Sequence, residues 1–263
     1  MSETSDFYSS WLGCAAFGAG SSLRLQAPEP IVFVPTDLSG CGIWFDAAND
    51  LSVTVDTKDN TSILTWQNLG DLSGSMVPYV GTGSYGVDTV NSLPVVLFGP
   101  SNNMYWYGEL PTQEKTAFVV FNCLSDLTTI GAPYLNLWNG EATQGFQLGL
   151  SYSLPNFYYS LCRSGDWCNY GTTTDNPQNI PKLVSYRITT DLSSNFININ
   201  GVPLTLQENH TADGFNVYPI PYSVNRTDGS SQDMCEIVIY NRALNDTEVA
   251  QVEAYLIAKW DVK

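Results

Sequence analysis

The sequence predicts an all-β protein, a two-sheet antiparallel jelly-roll sandwich with one C-terminal α-helix and an extended N-terminal arm. Short β-branched and aromatic runs recur between turns rich in Gly, Asn, Asp and Pro, as antiparallel strands do. Helical periodicity occurs once, near the end of the chain, and a single helix after many strands covers a sheet. Charged residues make up only 14% of the 263 residues, against ~25% in most soluble domains. Asn, Ser, Thr, Gly and Tyr must therefore cover much of the surface, as in a loop-rich β protein.

Residues 1–40 differ in composition from the rest of the chain. Ser, Gly, Ala and Pro dominate them, and Pro28, Pro30 and Pro35 interrupt them, which is typical of an extended arm or linker. We expect this arm to dock onto its own domain or a neighbouring subunit, and residues 41–263 to form the sandwich. No basic segment precedes residues 11–20, which are too short and Gly-rich for a membrane span, so we expect neither a secretory signal nor membrane insertion.

The first half of the domain contains four regions with strand character. Each combines β-branched or aromatic residues with a following turn, and the last has the length and branching of a fully buried strand. They are residues 42–50, a strand and polar turn; 62–74, a strand and Gly-rich loop; 92–107, a strand, a Gly-Pro turn and an aromatic run; and 115–122.

The second half alternates apolar and polar residues over 134–138 and 146–152, as half-buried strands do. Residues 157–161 are expected to pair with one of these, and 166–178 to form a polar loop. Residues 182–188 form a further predicted strand. Residues 196–201 end in Asn-Gly, a strong hairpin signal.

Near the end of the chain, the spacing of the apolar residues changes from that of a strand to that of a helix. Residues 236–240 are β-branched and aromatic and predict a strand. Asn245 then provides a helix N-cap, and Glu248 stands three places later, where its carboxylate reaches back to the cap amide. The helical face is Val249, Val252, Leu256 and Trp260, and the predicted core aromatics are Trp44, Phe45, Trp66, Phe98, Phe118 and Phe121.

This closing strand, the Tyr-Asn-Arg-Ala-Leu turn at 240–244 and the helix ending in Ala-Lys-Trp resemble the end of concanavalin A-like (laminin-G-like) jelly-roll domains, a family of lectins and glucanases. The resemblance covers roughly residues 42–260. Gly99 directly follows Phe98, and the acidic residue that usually stands between them is missing, so its role cannot be carried over. Weaker matches occur in the family's order at residues 43–47, 66–74, 94–98 and 196–201.

Charge and residue inventory argue against several functions. The chain has 26 acidic and 10 basic residues and a net charge of −16, which disfavours nucleic acid and anionic membranes and favours solubility. The single histidine, His210, lies in a polar run with no Gly-x-Ser-x-Gly elbow elsewhere. A glycosidase needs two carboxylates about 5–9.5 Å apart across a cleft, but Glu109, Glu114 and Glu141 are isolated. We therefore expect no catalytic residues and no enzyme activity.

Exposed aromatic residues are the candidates for sugar binding. Trp167 lies between Cys162 and Cys168, and Trp106, Tyr107 and Trp138 lie in other predicted loops. For each of them, packing in the core is the alternative role, since alternation along the aromatic run at 105–107 must bury at least one ring.

Two structural sites are weaker candidates. The chain has six cysteines without a C-x-x-C spacing, which disfavours zinc, and Cys162 and Cys168 are close enough for a local disulfide. The resemblance implies a calcium ion at the sandwich edge, for which Asp46, Asp50 and Asp71 are the candidates, although Asp is also an ordinary turn residue. No other cofactor is expected.

These observations and the resemblance lead us to expect a non-enzymatic attachment or assembly protein. Domains of this type with an N-terminal arm are similar to virus or phage surface components such as minor capsid, spike or fibre-head proteins. We expect a virion-surface or extracellular location, contacts with other virion subunits through residues 1–40, and a lectin-like domain for cell-surface glycans. The alternative is a free carbohydrate-binding protein or a glycoside hydrolase.

Overall fold

Two antiparallel β-sheets and one C-terminal helix build the described part of the chain, which confirms the predicted all-β sandwich. The structure is a computed structural model. It describes residues 33–263 except 101, 109–113, 126–136, 140–145, 154–155, 164–165, 190–193, 209–221 and 225–230. Residues 1–32, most of the predicted arm, lie outside the described residues, so the docking of that arm stays a prediction.

The strands are numbered in chain order. They are β1 Cys41–Asp46, β2 Val53–Val55, β3 Ile63–Gln67, β4 Ser75–Val80, β5 Ser84–Val90, β6 Leu93–Phe98, β7 Asn103–Trp106, β8 Lys115–Cys123, β9 Leu137–Asn139, β10 Phe146–Ser153, β11 Asn156–Arg163, β12 Asp166–Thr173, β13 Lys182–Ile188, β14 Phe196–Ile199, β15 Val202–Pro203, β16 Leu206–Glu208, β17 Tyr222–Val224 and β18 Gln232–Tyr240. The helix is α1 Asp246–Trp260.

The eight-stranded sheet has the order β15-β14-β13-β8-β18-β6-β5. One edge of β18 pairs with β8, and the opposite edge pairs with two strands in succession. Residues Gln232 to Met234 pair with β6, and Glu236 to Tyr240 pair with β1. The ten-stranded sheet has the order β16-β12-β11-β10-β9-β17-β7-β4-β3-β2. One hydrophobic core draws side chains from both sheets.

The central strands of the eight-stranded sheet are buried on both faces. All residues of β18 and all but one of β8 are buried, because the second sheet covers one face and α1 covers the other. The continuous apolar sequence of β8 reflects this double burial. Of the predicted core aromatics only Trp44 is partly exposed, and its indole lies on the helix side of the sheet.

Helix α1 begins at the predicted cap. The Asn245 side chain accepts a hydrogen bond from the Glu248 amide at 3.0 Å, and the Glu248 carboxylate accepts one from the Asn245 amide at 2.9 Å. Arg242 holds the same carboxylate through two hydrogen bonds of 2.9 and 2.7 Å, which together with the cap lowers the pKa of Glu248 to about 2. The predicted apolar face is buried, so this part of the prediction is confirmed.

A buried carboxylate on β18 joins the helix to the sheet. Glu236 is fully buried and accepts hydrogen bonds from the indole of Trp44 on β1, the indole of Trp260 and the ammonium of Lys259, each at 2.7 Å. The same ammonium lies 2.7 Å from the carboxylate of Asp46. Burial, and then the neighbouring Asp46 carboxylate, raise the pKa of Glu236. We call these five residues the Glu236 network.

The Gly-rich loop after β3 covers the free edge of β1. The Asn68 carboxamide accepts from the Trp44 amide at 2.7 Å and donates to the Gly42 carbonyl at 2.9 Å. A Cβ at position 70 would lie 2.6 Å from the Cys41 carbonyl oxygen, so only glycine permits this close approach. Backbone hydrogen bonds from residues 69, 71 and 72 complete the cover, which hides an edge that would otherwise be open to pairing.

Other local predictions had mixed outcomes. Asn200 and Gly201 have φ values of 53° and 77° and connect β14 to β15, so the Asn-Gly hairpin is confirmed. The expected pairing of residues 157–161 is confirmed by the β10–β11 ladder. The expected loop at 166–178 is wrong over its first part, because Asp166–Thr173 forms β12 and pairs with β11.

Removing the helix cap should destabilise the fold measurably. We expect Asn245→Ala to lower the free energy of unfolding by about 1 kcal/mol, because it leaves a first-turn amide without its acceptor. Urea unfolding followed by circular dichroism measures the change. Gln251→Ala, at an exposed helical position, is the control and should change stability by less than about 0.5 kcal/mol. Equal effects from both variants would contradict this role for Asn245.

The Glu236 network should show strong coupling in a double-mutant cycle. Lys259→Met leaves two buried carboxylates without their cation and should cost about 3 kcal/mol of unfolding free energy. Combining it with Glu236→Gln should cost clearly less than the sum of the single variants, because no unpaired charge remains at position 236. Lys58→Met, at an exposed position, is the control. Additive effects in the cycle would show that the residues act independently.

Candidate functional site

Three tyrosines form an exposed aromatic cluster on the ten-stranded sheet. Tyr79 stacks on Tyr105 with ring centroids 4.2 Å apart and an interplanar angle of 6°, and Tyr107 contacts Tyr105 edge-on at 6.0 Å. Tyr79 and Tyr107 remain 59% and 63% exposed. Exposed aromatic rings held in fixed mutual geometry are typical of binding surfaces. We call these three residues the tyrosine surface.

Local sequence explains why these rings point outwards. Met104 and Trp106 on β7 are fully buried, so strand alternation places Tyr105 between them on the outer face. On β4 the register shifts between Pro78 and Val80. Proline is tolerated at such bulges, and the extra residue is Tyr79, which the bulge turns towards Tyr105.

The four predicted sugar-binding residues have different positions. Tyr107 is exposed and belongs to the tyrosine surface, but Trp106 is fully buried and presents no ring face to a sugar. Trp106, Trp138 and Trp167 lie on strands β7, β9 and β12, whereas loops were expected. The side chains of Trp138 and Trp167 lie outside the described part of the structure, so their role stays a prediction.

Backbone register nevertheless relates these positions. Tyr105 pairs with Ser223 and Ser223 pairs with Trp138, and directly paired residues belong to the same face of a sheet. At ~4.8 Å per strand, positions 105 and 138 are about 10 Å apart and 138 and 167 about 14 Å apart. From Trp138 the row of directly paired residues continues through Gln147 and Cys162 to Trp167.

The disulfide candidates lie in the same hairpin. Cys162 on β11 pairs with Trp167, and a register shift follows Leu161, so Cys168 is adjacent to the paired position. The side chains of both cysteines lie outside the described ones, and the disulfide stays a prediction. Among the cysteines that are described, Cys41, Cys123 and Cys235 are free and buried. Burial raises the pKa of Cys41 to about 12 and of Cys123 to about 11, which makes both thiols unreactive.

The calcium candidates do not converge. Asp46 is buried and bound to Lys259 and to the Ala48 amide, whereas Asp50 and Asp71 are exposed. No group of three His, Cys, Asp or Glu side chains suited to a metal occurs in the described residues. Calcium binding by these three carboxylates is therefore not supported by their positions.

One pair of neighbouring carboxylates in the described residues is inaccessible. Asp46 and Glu236 share Lys259, but both are buried under α1 and cannot contact a polysaccharide. His210, Glu109 and Glu141 lie outside the described residues. None of the helices in the described ranges is long and apolar enough to cross a membrane.

A cleft lies on the other sheet. It is an open cleft of about 330 Å³ at the C-terminal end of α1, which we call the C-terminal cleft. Its walls come from the β5–β6 turn, from β8, from the segment before β13 and from the end of the chain. Its lining includes Asn91, Asn122, Asn179, Ile180, Trp260, Asp261 and Lys263.

Asn122, a partly buried residue of the cleft lining, is paired with the buried Asp233. The Asn122 amide nitrogen donates to Asp233 Oδ2 at 3.1 Å. Asp233 is 1% exposed, and neither its Oδ1 nor the Oδ1 of Asn122 has a hydrogen-bond partner in the protein. Burial raises the pKa of Asp233 to about 6, although the Asn122 hydrogen bond opposes the shift. Sequence reasoning missed this pair because the two residues are 111 positions apart.

Comparison with known proteins shows similarity in structure alone. No protein-family model and no curated protein matches the sequence. The binding domain of Paraclostridial Mosquitocidal Protein 1 matches with a TM-score of 0.53 and 16% identity, over 77% of this chain and 51% of that one. The receptor binding domain of botulinum neurotoxin C/D mosaic serotype matches with a TM-score of 0.59 and 10% identity, over 83% and 52%. The receptor binding domain of botulinum neurotoxin D matches with a TM-score of 0.53 and 14% identity, over 76% of this chain and 54% of that one.

These matches establish a shared fold. The chain spans about half the length of each solved structure, and at such low identity neither residues nor activities transfer. The neighbours are domains named for binding, and their β-sandwich is the architecture that the strand pattern predicts. Membership of the concanavalin A-like family in particular stays a prediction.

Asp233 should make stability depend on pH in the weakly acidic range. A carboxyl whose pKa is raised on folding binds its proton more tightly in the folded state, so stability is lost as pH rises from about 4 through about 6. We therefore expect the stability of wild type relative to Asp233→Asn to fall between about pH 4 and pH 7. Urea unfolding of both proteins across this range measures it.

Asp59→Asn is the control for this titration. Hydrogen bonds from Ser62 and from the Thr61 and Ser62 amides lower the pKa of Asp59 to about 2. The stability that the ionised Asp59 carboxylate contributes is present above the pKa of the unfolded state and is lost only as pH falls towards 2. The stability difference between wild type and Asp59→Asn should therefore be constant from pH 5 upwards. A flat curve for Asp233→Asn as well would contradict the raised pKa.

Proposed function

We propose that this chain is a non-enzymatic attachment module that binds cell-surface receptors or glycans through the outer face of its ten-stranded sheet. The observation that carries the proposal is the tyrosine surface, because stacked rings that remain exposed do not contribute fully to a core. Aromatic rings pack against the C–H faces of sugars, and tyrosine hydroxyls add hydrogen bonds at the rim. The eight-stranded sheet is less suited to this role, since α1 covers its centre.

Two further observations support the proposal. The backbone register relates positions 138 and 167 to Tyr105 in one row across the strands, at intervals of about 10 to 14 Å. The solved structures that share the fold are named as binding or receptor binding domains. The surface of this acidic chain, with its net charge of −16, suits neutral or basic receptors better than anionic ones.

The proposed setting is a virion surface or another extracellular site. In that setting residues 1–40 would dock the domain onto neighbouring subunits, and the sandwich would face the host cell. Two observations support this part of the proposal. They are the composition of the arm and the resemblance of the sandwich to such surface components. A free carbohydrate-binding protein would use the same tyrosine surface without the assembly contact.

Binding to a glycan array tests the surface directly. The full chain should retain a defined subset of glycans, and the double variant Tyr79→Ala/Tyr107→Ala should weaken that binding at least about tenfold, because it removes both exposed rings. Leu51→Ala/Val202→Ala is the matched control, since these residues are 89% and 64% exposed and lie outside the tyrosine surface. Undiminished binding by the tyrosine variant would contradict the site, and retention of no glycan would contradict the glycan ligand.

A further inference from the structure

The four strands around the tyrosine surface contain no charged residue. They are β2, β3, β4 and β7, which are neighbours at one end of the ten-stranded sheet. Between residues 47 and 114 Lys58 is the only basic residue, and exposed carboxylates such as Asp50, Asp59 and Asp71 lie in the segments next to these strands. The segments around this face therefore repel anions, and the strands themselves supply no cation to attract one.

Strand register places uncharged polar side chains beside the tyrosines. Trp66, Met76 and Trp106 are buried and form one row of paired residues across β3, β4 and β7. Their neighbours along each strand face outwards, because side chains alternate. The outward polar residues are Thr54 and Thr65, which pair with each other, and Gln67 and Ser75, which also pair. We call these four residues the polar strip.

Gln67 is the residue of the polar strip best placed to reach a ligand on the tyrosines. Because Met76 pairs with Trp106, Ser75 lies beside Tyr107, and Gln67 lies on the next strand. At ~4.8 Å per strand, positions 67 and 107 are about 10 Å apart. The Gln67 side chain is exposed, and within the described residues no hydrogen bond reaches its carboxamide. Its two donors and its acceptor are therefore available to a ligand.

Buried tryptophans support this part of the sheet from beneath. Trp66 and Trp106 are fully buried. A Cβ at position 74, next to Ser75, would lie 3.0 Å from the Trp106 indole nitrogen, and one at position 108, next to Tyr107, would overlap the indole ring. The backbone at both positions therefore packs directly on Trp106. A surface held in this way loses little conformational freedom when a ligand binds.

The polar strip and the tyrosine surface together match an uncharged sugar. Aromatic rings pack against its C–H faces, and carboxamide and hydroxyl side chains both donate to and accept from its hydroxyls. An anionic sugar would meet carboxylates around the face and no cation on its strands. An extended peptide adds to the edge of a sheet through its backbone, which the outer face does not offer.

We propose that Gln67 determines the specificity of the tyrosine surface for uncharged sugars. Its carboxamide hydrogen-bonds to the hydroxyls of a sugar residue that packs on Tyr107, and the lack of a basic residue on β2, β3, β4 and β7 disfavours anionic sugars. This role of Gln67 rests on the proposed function, because both concern the same ligand. Gln67 is exposed, so its replacement does not disturb the core.

Amide chemical-shift titration of the full chain with matched sugars tests the specificity. The neutral probes are glucose, galactose, N-acetylglucosamine and lactose, and their anionic counterparts are glucuronic acid, galacturonic acid, N-acetylglucosamine 6-sulfate and 3′-sialyllactose. We expect at least one neutral probe to shift the amides of Gln67, Ser75 and Tyr107 saturably, and its counterpart to bind at least about tenfold more weakly. No saturable shift with any neutral probe, or equal affinity for the counterpart, would overturn the proposal.

Two variants of Gln67 test its role directly. Gln67→Ala should weaken binding of the neutral probe at least about fivefold, because a sugar hydroxyl loses its partner. Gln67→Lys places a cation beside Tyr107 and should shift the preference towards the anionic counterpart at least about fivefold. Gln251→Ala and Gln251→Lys make the same changes at an exposed position of α1, and both should keep the affinity and the preference of wild type.

The tyrosine double variant separates failure of this role from failure of the proposed function. Wild-type affinity in Gln67→Ala, or wild-type preference in Gln67→Lys, would overturn the role of Gln67. If Tyr79→Ala/Tyr107→Ala still loses binding in that case, the tyrosine surface remains the site and only the specificity residue is wrong. If the double variant binds like wild type, the proposed function is contradicted as well.

Discussion

The burial of one carboxylate, Glu236, fixes the relation between helix and sheet. A carboxylate with no exposure to water needs hydrogen-bond donors from the protein, and these come from Trp44, Lys259 and Trp260. They belong to β1 and α1, so neither element can move on β18 without leaving a buried charge unsolvated. Helix α1 is therefore held as a permanent cover over the eight-stranded sheet, and the broad free face of the sandwich is that of the other sheet.

The sequence predicted elements whose signals are local. The capping box of Asn245 and Glu248, the apolar β8 and the Asn-Gly turn each depend on residues within a few positions of one another, and all three are confirmed. Strands with a weak period were missed. Most of β5 is exposed and carries little apolar alternation, and β12 is rich in polar residues, so tertiary pairing overrode local propensity there.

Sites were harder to predict than strands because they combine distant residues. Alternation correctly required one buried ring in the run at 105–107, but only the neighbouring strands decide that this ring is Trp106 and that Tyr105 meets Tyr79 at a bulge. The partners Asn122 and Asp233 belong to paired strands far apart in sequence. No periodicity in the chain could indicate either the tyrosine surface or the C-terminal cleft.

The position of β18 also constrains how the protein can fold. This strand comes after all the others in the chain, yet β1, β6 and β8 all pair with it. Contacts between such distant segments form slowly. During synthesis from the N-terminus, β8 would keep an unpaired, apolar edge until β18 emerged, and such edges promote aggregation. Expression yield should therefore depend on chaperone capacity, and removal of the final strand and helix should prevent formation of the whole eight-stranded sheet.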